Sequence, residues 1–426
     1  MRWVWVVGWF FCIAGQRPIP LAGGTPTLLY EPGGRTGEVG PNSDLPPRVL
    51  TLAEAVALAL RRNGELQARR SEVEAARGRA RQMVALPNPE VETELLIVQE
   101  RILGLQQPIR WPAQTRALRR LGELNTEEAV TDYRLKQQEL VREVRLQFIE
   151  ALALRERVAV LAESLQMARE VQATAEARWR QGFGSLEEVT RAAIEVGRIR
   201  TQWDTLQGDL TIRRAELRRL IGLDSDVDVT GGLAAVVSEL GEFSGNLTAI
   251  DTHPWVTQGR VQEALWEARG ALERSYRRPV IALGPAVGFL EGGRVSPGIV
   301  ISVTVPILDR RRGSLQETVA RAEAARTTTA YRRRELALRL ESLTKRYGGL
   351  QQSLEAFRQD VLEPAEDLFR RSQTAYLQGR IPFVTYVDAF RTWVEVRLEY
   401  LGLLEELART AVEVRFITEG PDATSP

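Results

Sequence analysis

The chain has 426 residues, 27% charged and 44% hydrophobic, with 57 basic side chains against 56 acidic ones. A formal net charge of +1 leaves no electrostatic footprint for nucleic acid, and no run of like charge is long enough to form a basic or acidic tail. One cysteine, Cys12, and one histidine, His253, exclude a disulfide framework and are poor material for a zinc site.

Taken in chain order, Arg2 precedes an apolar run over residues 3–15, closed by Gln16, Arg17 and Pro18. A spanning helix needs roughly 20 residues, so this run is too short and reads as the core of a signal peptide over residues 1–22. An N-terminal membrane anchor is the alternative reading. Phe11 before Cys12 is too large for a lipoprotein cleavage site, so no lipidation is expected. Residues 23–49 are rich in Gly and Pro and read as a flexible lead-in.

Self-similarity is the strongest signal beyond this point. Tyr133-Arg134 and Tyr331-Arg332 lie 198 residues apart, as do Pro108-Ile109 and Pro306-Ile307. Gly182 and Gly379 are offset by 197, and so are Ala192 and Ala389. The spacing predicts a tandem duplication, residues 50–221 and 251–419, joined by a connector at 222–250 and followed by a short tail at 420–426. Each copy reads helix, strand, strand, very long helix, turn, helix.

The long helix of the first copy is predicted from Pro112 to near Arg180, about 100 Å at 1.5 Å per residue. Val141, Val144, Phe148, Ala151, Val158 and Leu165 lie on its apolar seam. A return helix over 186–221 adds about 54 Å, and a helix over 252–277 about 39 Å. In the second copy Leu336, Leu340, Leu343, Tyr347, Leu350, Leu354, Phe357 and Val361 step by alternating 4 and 3, an unbroken coiled-coil seam. Pro112 suits a first helical position, Asp309 suits an N-cap, and Pro364 should kink or unwind the second long helix.

Four strands are expected at about 89–98, 101–110, 280–290 and 298–307. Val91, Thr93, Leu95 and Ile97 alternate with Glu90, Glu92 and Glu94. Ile299, Ile301, Val303, Val305 and Ile307 share one face of the last strand, and Ala282, Gly284, Ala286 and Gly288 share one face of its partner. Two readings fit. The hairpins pack on a soluble core beside a coiled-coil scaffold, or their apolar faces meet lipid. The helices read as elongated seams and offer no globular core, and 9–11 residues is the strand length of a membrane barrel. Four strands cannot close one, so the lipid reading requires oligomerisation.

These residues carry a resemblance. Leu50-Thr51-Leu52-Ala53-Glu54-Ala55, Gln107-Pro108-Ile109-Arg110-Trp111-Pro112 and Val305-Pro306-Ile307-Leu308-Asp309-Arg310 are similar to blocks of the TolC-like outer-membrane efflux proteins. So is VLEPAEDLFRRSQTAYLQGRIPFVTYVDAFR, and within the family the chain resembles the CzcC-like heavy-metal branch. The resemblance implies a mainly α chain with a small β part: a homotrimer with a 12-stranded barrel in the outer membrane and a long periplasmic α-helical barrel. It implies an exit duct serving a periplasmic adaptor protein and an inner-membrane efflux pump, with outer-membrane lipid around the barrel. The first hairpin departs from the family in having almost no loop.

By the same resemblance the helix turns are the adaptor-contacting tip: Gly182, Phe183 and Ser185 in one, Gly379, Arg380 and Pro382 in the other. The family pattern places an acidic residue six positions after the first tip glycine, bonded to a tyrosine before the second. Here these are Glu188 and Tyr376. It places carboxylates six and nine positions after the second glycine, where this chain has Thr385, a departure, and Asp388. Three copies of Asp388 would form an anionic ring at the pore mouth; taken alone, Asp388 and Glu188 also read as solvated helix-face charges. No Gly-rich phosphate loop or nucleophilic triad is present, so no catalytic residue, cofactor or metal site is expected. His253, ahead of Pro254, reads as structural.

Overall fold

In a computed structural model the structure describes residues 48–95, 101–241, 249–289 and 294–419. The expected signal peptide, most of the lead-in, the first hairpin's turn, residues 290–293 and the C-terminal tail lie outside these residues.

The lead-in is not loose to its end. Strand β1 (Arg48–Leu50) pairs in parallel with Val227–Val229, so the expected flexible segment stops earlier than residue 49. Leu50 is buried in that pairing, which a composition rich in Gly and Pro does not foretell. Thr51 then caps α1 (Leu52–Arg62) with a capping box. Its amide donates to the Glu54 carboxylate at 2.9 Å and its hydroxyl accepts from the Glu54 amide at 3.4 Å. Asn63 ends α1 and caps α2 (Gly64–Val84), its side-chain oxygen accepting from the Leu66 amide at 3.0 Å.

Strands β2 (Glu90–Leu95) and β3 (Arg101–Ile109) lead into α3 (Pro112–Arg180), 69 residues and about 104 Å long. Pro112 stands at its first turn, where a missing N–H costs nothing. The return helix α4 (Leu186–Ile221) ends at Gly222, whose φ of 71° lies in the left-handed region. A Cβ there would also sit 2.8 Å from the Arg62 carbonyl oxygen, so the residue must be glycine on both counts. Asn63 seals the same junction by donating to the Leu220 carbonyl at 3.0 Å.

The connector is structured, contrary to its loop-like composition. It holds β4 (Val227–Val229), α5 (Leu233–Gly241) and α6 (Ala249–Thr252). Two charged side chains of α3 pin it: Arg155 donates to the Val229 carbonyl, and the Glu156 carboxylate accepts from the Leu233 amide at 2.6 Å. Val227, Val229, Leu233 and Leu240 thereby join the main core with Val144, Phe148, Leu152 and Leu217.

The same element order then recurs. Helix α7 (Pro254–Ser275) precedes β5 (Val280–Phe289) and β6 (Val295–Thr304). Strand β6 lies earlier than the expected 298–307. Pro306 has no N–H for a ladder, and the chain turns instead with the Ile307 amide donating to the Val305 carbonyl at 2.9 Å. Helix α8 (Arg312–Phe357) follows, and Asp309 is not its N-cap. The cap position is Arg311, with φ 52°, and Asp309 accepts the Arg311 amide at 2.9 Å in a turn two residues too early to cap. A π-helical turn (Arg358–Leu362) separates α8 from α9 (Glu363–Leu377). It answers Pro364: an α-helix would drive the proline ring into the carbonyl four residues back, and one extra residue in the turn relieves that clash. Helix α10 (Phe383–Thr418) closes the fold.

The seams are buried unevenly. Helix α10 buries Phe390, Val394, Leu401, Leu404, Ala408 and Ala411, whereas α8 buries Leu336 and Leu340 and leaves the rest of its heptad row half-exposed. The second copy's long helix therefore keeps an apolar stripe that one chain does not cover.

His253 is structural as expected. It is 1% exposed, its Nδ1 accepts the Trp255 amide at 3.3 Å, and its ring meets Trp255 and Phe416 edge-on, each centroid 5.3 Å away. Burial pulls its pKa down to about 4, only partly opposed by the Phe416 backbone. The fold thus holds the neutral imidazole. Stability is complete above about pH 6.5 and falls as pH drops towards 4, because the unfolded chain gains the proton first. The loss approaches about 3 kcal/mol at the low end. His253→Asn keeps a capping acceptor and removes the titration, so its urea-unfolding midpoint should fall less steeply than wild type between pH 6.5 and 4. Parallel curves would remove His253 as the cause.

Candidate functional site

The two ends of the long helices carry the two candidate sites. At one end β2, β3, β5 and β6 form a single antiparallel sheet in that order. The register puts Val91 opposite Leu105, Leu103 opposite Val287, Leu283 opposite Ile301, and Ile281 opposite Val303. Side chains alternate along a strand, so these residues share one face. That face is open: Ile299 is 76% exposed, and Val91, Leu103, Leu283, Ile301 and Val303 are exposed with it.

The opposite face is mostly small and polar, with Ile102 and Val300 as its larger apolar members. Glu90, Glu92, Gly104 and Gln106 face Ala282, Gly284, Ala286, Gly288, Ser296 and Ser302 through the same register. The buried Gln106 amide donates to Glu92, and a concave cavity of about 300 Å³ lies over Glu92, Gly104, Ala286 and Ser296. The strands curl tightly enough that a Cβ on Gly104 would touch Val300, two strands away, at 3.0 Å. Pro285 interrupts the β3–β5 ladder, and a Cβ on Gly284 would lie 1.8 Å from the Leu105 carbonyl oxygen. Strands β2 and β6 each pair on one side only, so a single chain leaves both outer ladders unsatisfied.

At the other end the two helix turns are built alike. Gly182 has φ 81° and Gly379 φ 68°. In each turn the next residue closes a Schellman bond: the Phe183 amide donates to the Arg178 carbonyl at 2.9 Å, and the Arg380 amide to the Ala375 carbonyl at 2.8 Å. Ser185 caps α4 by accepting the Glu188 amide at 3.2 Å, and Pro382 stands at the cap of α10. Phe183 is 78% exposed, and Leu186, Leu377 and Val384 are exposed around it.

Behind the tip, aromatic rings zip α9 to α10. Tyr376 stacks on Tyr386 at 5.0 Å and Phe369 on Trp393 at 4.6 Å. This stack decides the fate of the expected latch. Glu188 and Tyr376 come near one another but make no hydrogen bond; the Tyr376 hydroxyl and one Glu188 oxygen are buried without a partner. The Tyr376 ring is held by Tyr386 on one side and by the Arg178 guanidinium 5.5 Å from its centroid, which fixes where its hydroxyl points. Burial pushes the Tyr376 phenol above its ordinary range, with Arg178 opposing and Glu188 adding to the shift. Burial likewise pushes Tyr386 up to about 12, helped by Tyr376 and Glu170. Asp388 lies apart from this cluster, exposed in a groove of about 180 Å³ with Arg191, Val387 and Arg391. Thr385 is exposed one turn earlier on α10.

The sequence reading missed one pair. Glu195 of α4 is 3% exposed, and its Oε2 accepts both Nε and Nη2 of Arg391 on α10, at 2.8 and 2.5 Å. Arg198 approaches the other oxygen at 3.4 Å. The available signal was a carboxylate inside an apolar row, Ala192, Glu195, Val196, Ile199. Among the described residues no group of His, Cys, Asp or Glu could hold a metal ion, and no helix is long and apolar enough to cross a membrane.

A four-stranded sheet with one greasy and one polar face, set on helical hairpins about 100 Å long, is the protomer architecture of a TolC-like channel. Residues 55–223 match the family described as outer membrane efflux protein. The chain is 24% identical over 385 residues to the cobalt-zinc-cadmium resistance protein CzcC of Cupriavidus metallidurans, covering 86% of this chain and 89% of that protein. Its fold is similar to that of CusC (TM-score 0.73, 14% identity, 87% of this chain and 92% of the other). It is also similar to VceC of Vibrio cholerae (TM-score 0.69, 13% identity, 87% and 96%) and to the MtrE outer membrane channel of Neisseria gonorrhoeae (TM-score 0.71, 15% identity, 87% and 89%). Residues 55–223 thus carry the outer membrane efflux protein pattern, and the fold of the chain as a whole is that of these solved structures.

The Glu195–Arg391 pair generates a prediction. Arg391→Ala leaves a buried carboxylate facing Arg198 alone. Breaking a buried pair costs about 3–5 kcal/mol, less here because Arg198 remains. The tip turn at residues 378–382 should be cut faster by protease, and Glu195→Gln, which removes the buried charge, should be milder. Equal cleavage in wild type and Arg391→Ala would show that the pair does not hold α10 to α4.

Proposed function

We propose that the chain is a passive exit duct, three copies of which close one barrel across the outer membrane and continue it into the periplasm as a helical tunnel. The observation that carries this is the sheet: one face apolar and uncovered, the other mostly small and polar, both edges open. A soluble scaffold would need protein over the apolar face, and among the described residues no element packs on it. Lipid satisfies the face, and a neighbouring copy satisfies each edge. Three chains give 12 strands, an even number within the range of bacterial barrels.

The duct has no chemistry of its own in this reading. Energy comes from an inner-membrane pump, and a periplasmic adaptor joins the pump to the tip at Gly182, Phe183, Ser185, Gly379, Arg380 and Pro382. Exposed apolar side chains on a glycine-turned tip are a fitting surface for a partner's helices. The cargo is a divalent metal cation, by analogy with the relative named for cobalt, zinc and cadmium resistance. The Glu90 and Glu92 carboxylates on the lumen face, repeated in each copy, favour cations in the barrel.

Asp388, Glu188 and Tyr376 form the gate in this proposal. Asp388 stands exposed on α10 where three copies would present an anionic ring, and the unpartnered Tyr376 and Glu188 oxygens are free to pair in another state. Purified in mild detergent, the protein should have the mass of a trimer and conduct in a planar bilayer. A monomer without conductance would overturn the proposal. Asp388→Ala should raise open probability and weaken block by divalent cations; unchanged conductance and block would remove Asp388 from the gate.

A further inference from the structure

From the foot of the sheet, where strands turn into helices, we infer a binding surface for anionic phospholipid headgroups. The inference rests on the outer-membrane reading above. The segment Val305-Pro306-Ile307-Leu308-Asp309-Arg310-Arg311-Arg312 carries it. It follows β6 past its last ladder residue: Val305 keeps the parity of Ile299, Ile301 and Val303, and after the turn at Pro306 the apolar side chains of Ile307 and Leu308 stand exposed. Leu308 is 98% exposed and Ile307 67%. The chain then changes character within one residue, from fully exposed leucine to Asp309 and three successive arginines.

Arg311 explains how this segment is aimed. It is the one non-glycine residue among those described with positive φ, at 52°. That backbone is held from several sides. The Arg311 amide donates to Asp309 at 2.9 Å, its guanidinium lies 3.4 Å from both Glu273 and Asp309, and it sits over the Tyr276 ring at 5.3 Å. Arg277 adds a brace by donating to the Arg310 carbonyl at 2.9 Å. Arg311 is thus spent on structure, and the turn it makes leaves Arg310 and Arg312 exposed with no carboxylate partner among the described residues.

An apolar knuckle followed by unpaired guanidinium groups fits one occupant, a leaflet boundary. Leu308 enters the acyl region, and Arg310 and Arg312 meet phosphates, for which the planar guanidinium is suited. The surroundings match. Trp111 and Tyr276 lie at the same strand-helix junctions, as amphipathic rings do at headgroup level. Arg278 has its guanidinium 5.9 Å from the Trp111 centroid and is exposed beside them. Positive charge at this level draws anionic lipid over zwitterionic lipid. The surface anchors the duct's depth and rotation in the membrane, a role separate from cargo passage.

The test uses the full-length protein purified in detergent, mixed with phosphatidylglycerol or phosphatidylcholine, and weighed with its bound lipid by native mass spectrometry. Wild type should retain phosphatidylglycerol preferentially. Removing an arginine should weaken that retention about fivefold, so Arg310→Gln with Arg312→Gln should lose about thirtyfold. Leu308→Ser should weaken retention of both lipids alike, and Arg200→Gln, on α4, neither. Phosphatidylglycerol held equally by wild type and the double variant, with both still conducting in bilayers, would sink this inference and leave the channel reading intact. A Leu308→Ser protein that falls apart into single chains would show the knuckle to be an intersubunit seam and would also overturn it. Failure of wild type to enter bilayers at all would remove the channel reading and this inference together.

Discussion

An open strand edge cannot sit in hydrocarbon. Each unpaired N–H or C=O there costs several kcal/mol, and β2 and β6 present a full row apiece. The apolar face formed by Val91, Leu103, Leu283 and Ile301 nevertheless asks for a solvent other than water. These two facts fix the rest. In the proposed duct copies of the chain pair these edges, and the pairing curls the sheet so that its polar face encloses a lumen. Gly104 and Gly284 serve that curl, since a side chain at Gly284 would strike the adjacent β3 and one at Gly104 would crowd Val300 of β6. The half-exposed heptad row of α8 fits the same proposal: fully buried only at Leu336 and Leu340, and partly covered at Leu343, Tyr347 and Leu354, it leaves apolar surface for another copy.

At the far end the governing tension is between packing and polarity. The rings of Phe369, Tyr376, Tyr386, Phe390 and Trp393 make the α9–α10 hairpin a rigid unit. The cost is two phenol hydroxyls and a carboxylate oxygen of Glu188 left without partners. Unsatisfied buried groups of this kind are expensive, and a tilt of the rigid hairpin that paired them would recover much of the expense. Glu195–Arg391 opposes such a tilt, because it bonds α10 to α4 through a carboxylate that has almost no access to water. In the proposed gate the ring stack is the lever, the unpaired oxygens are what its tilt would satisfy, and Glu195–Arg391 is the brace.

Much of this was legible in the chain itself. Helical period, Pro112 and the tip glycines fixed α3 and α4 to the residue, because those signals are local and strong. Strand alternation and a repeat offset of nearly 200 residues located the four strands of the sheet, although the last begins three residues before its expected start. The failures were of two physical kinds. Where tertiary pairing overrides composition, the reading saw loops: Arg48–Leu50 and Val227–Val229 are three residues each and become strands only by finding one another. Where one atom's geometry decides, the pattern was ambiguous: Asp309 has the chemistry of an N-cap, but Arg311 takes the position because the chain turns left-handed first. For Glu195–Arg391 the local signal is only a carboxylate in an apolar row, which does not name a partner 196 residues away.

The two copies of the element order have also diverged in a consistent direction. The first copy's long helix is unbroken, and its strand-to-helix junction is a direct Arg110-Trp111-Pro112, with the Trp111 ring nitrogen bonded to the Pro279 carbonyl at 2.6 Å. The second copy's helix is interrupted by the π turn before Pro364, and its junction carries the longer Leu308–Arg312 segment with the left-handed Arg311. Interrupted helices bend where continuous ones do not. The π turn directly precedes α9, so the aromatic hairpin begins where the second long helix is interrupted, whereas α3 runs unbroken to its tip. In the proposed duct the unbroken first half is the wall that holds its place, and the interrupted second half carries both the exposed Leu308 segment and the end that opens.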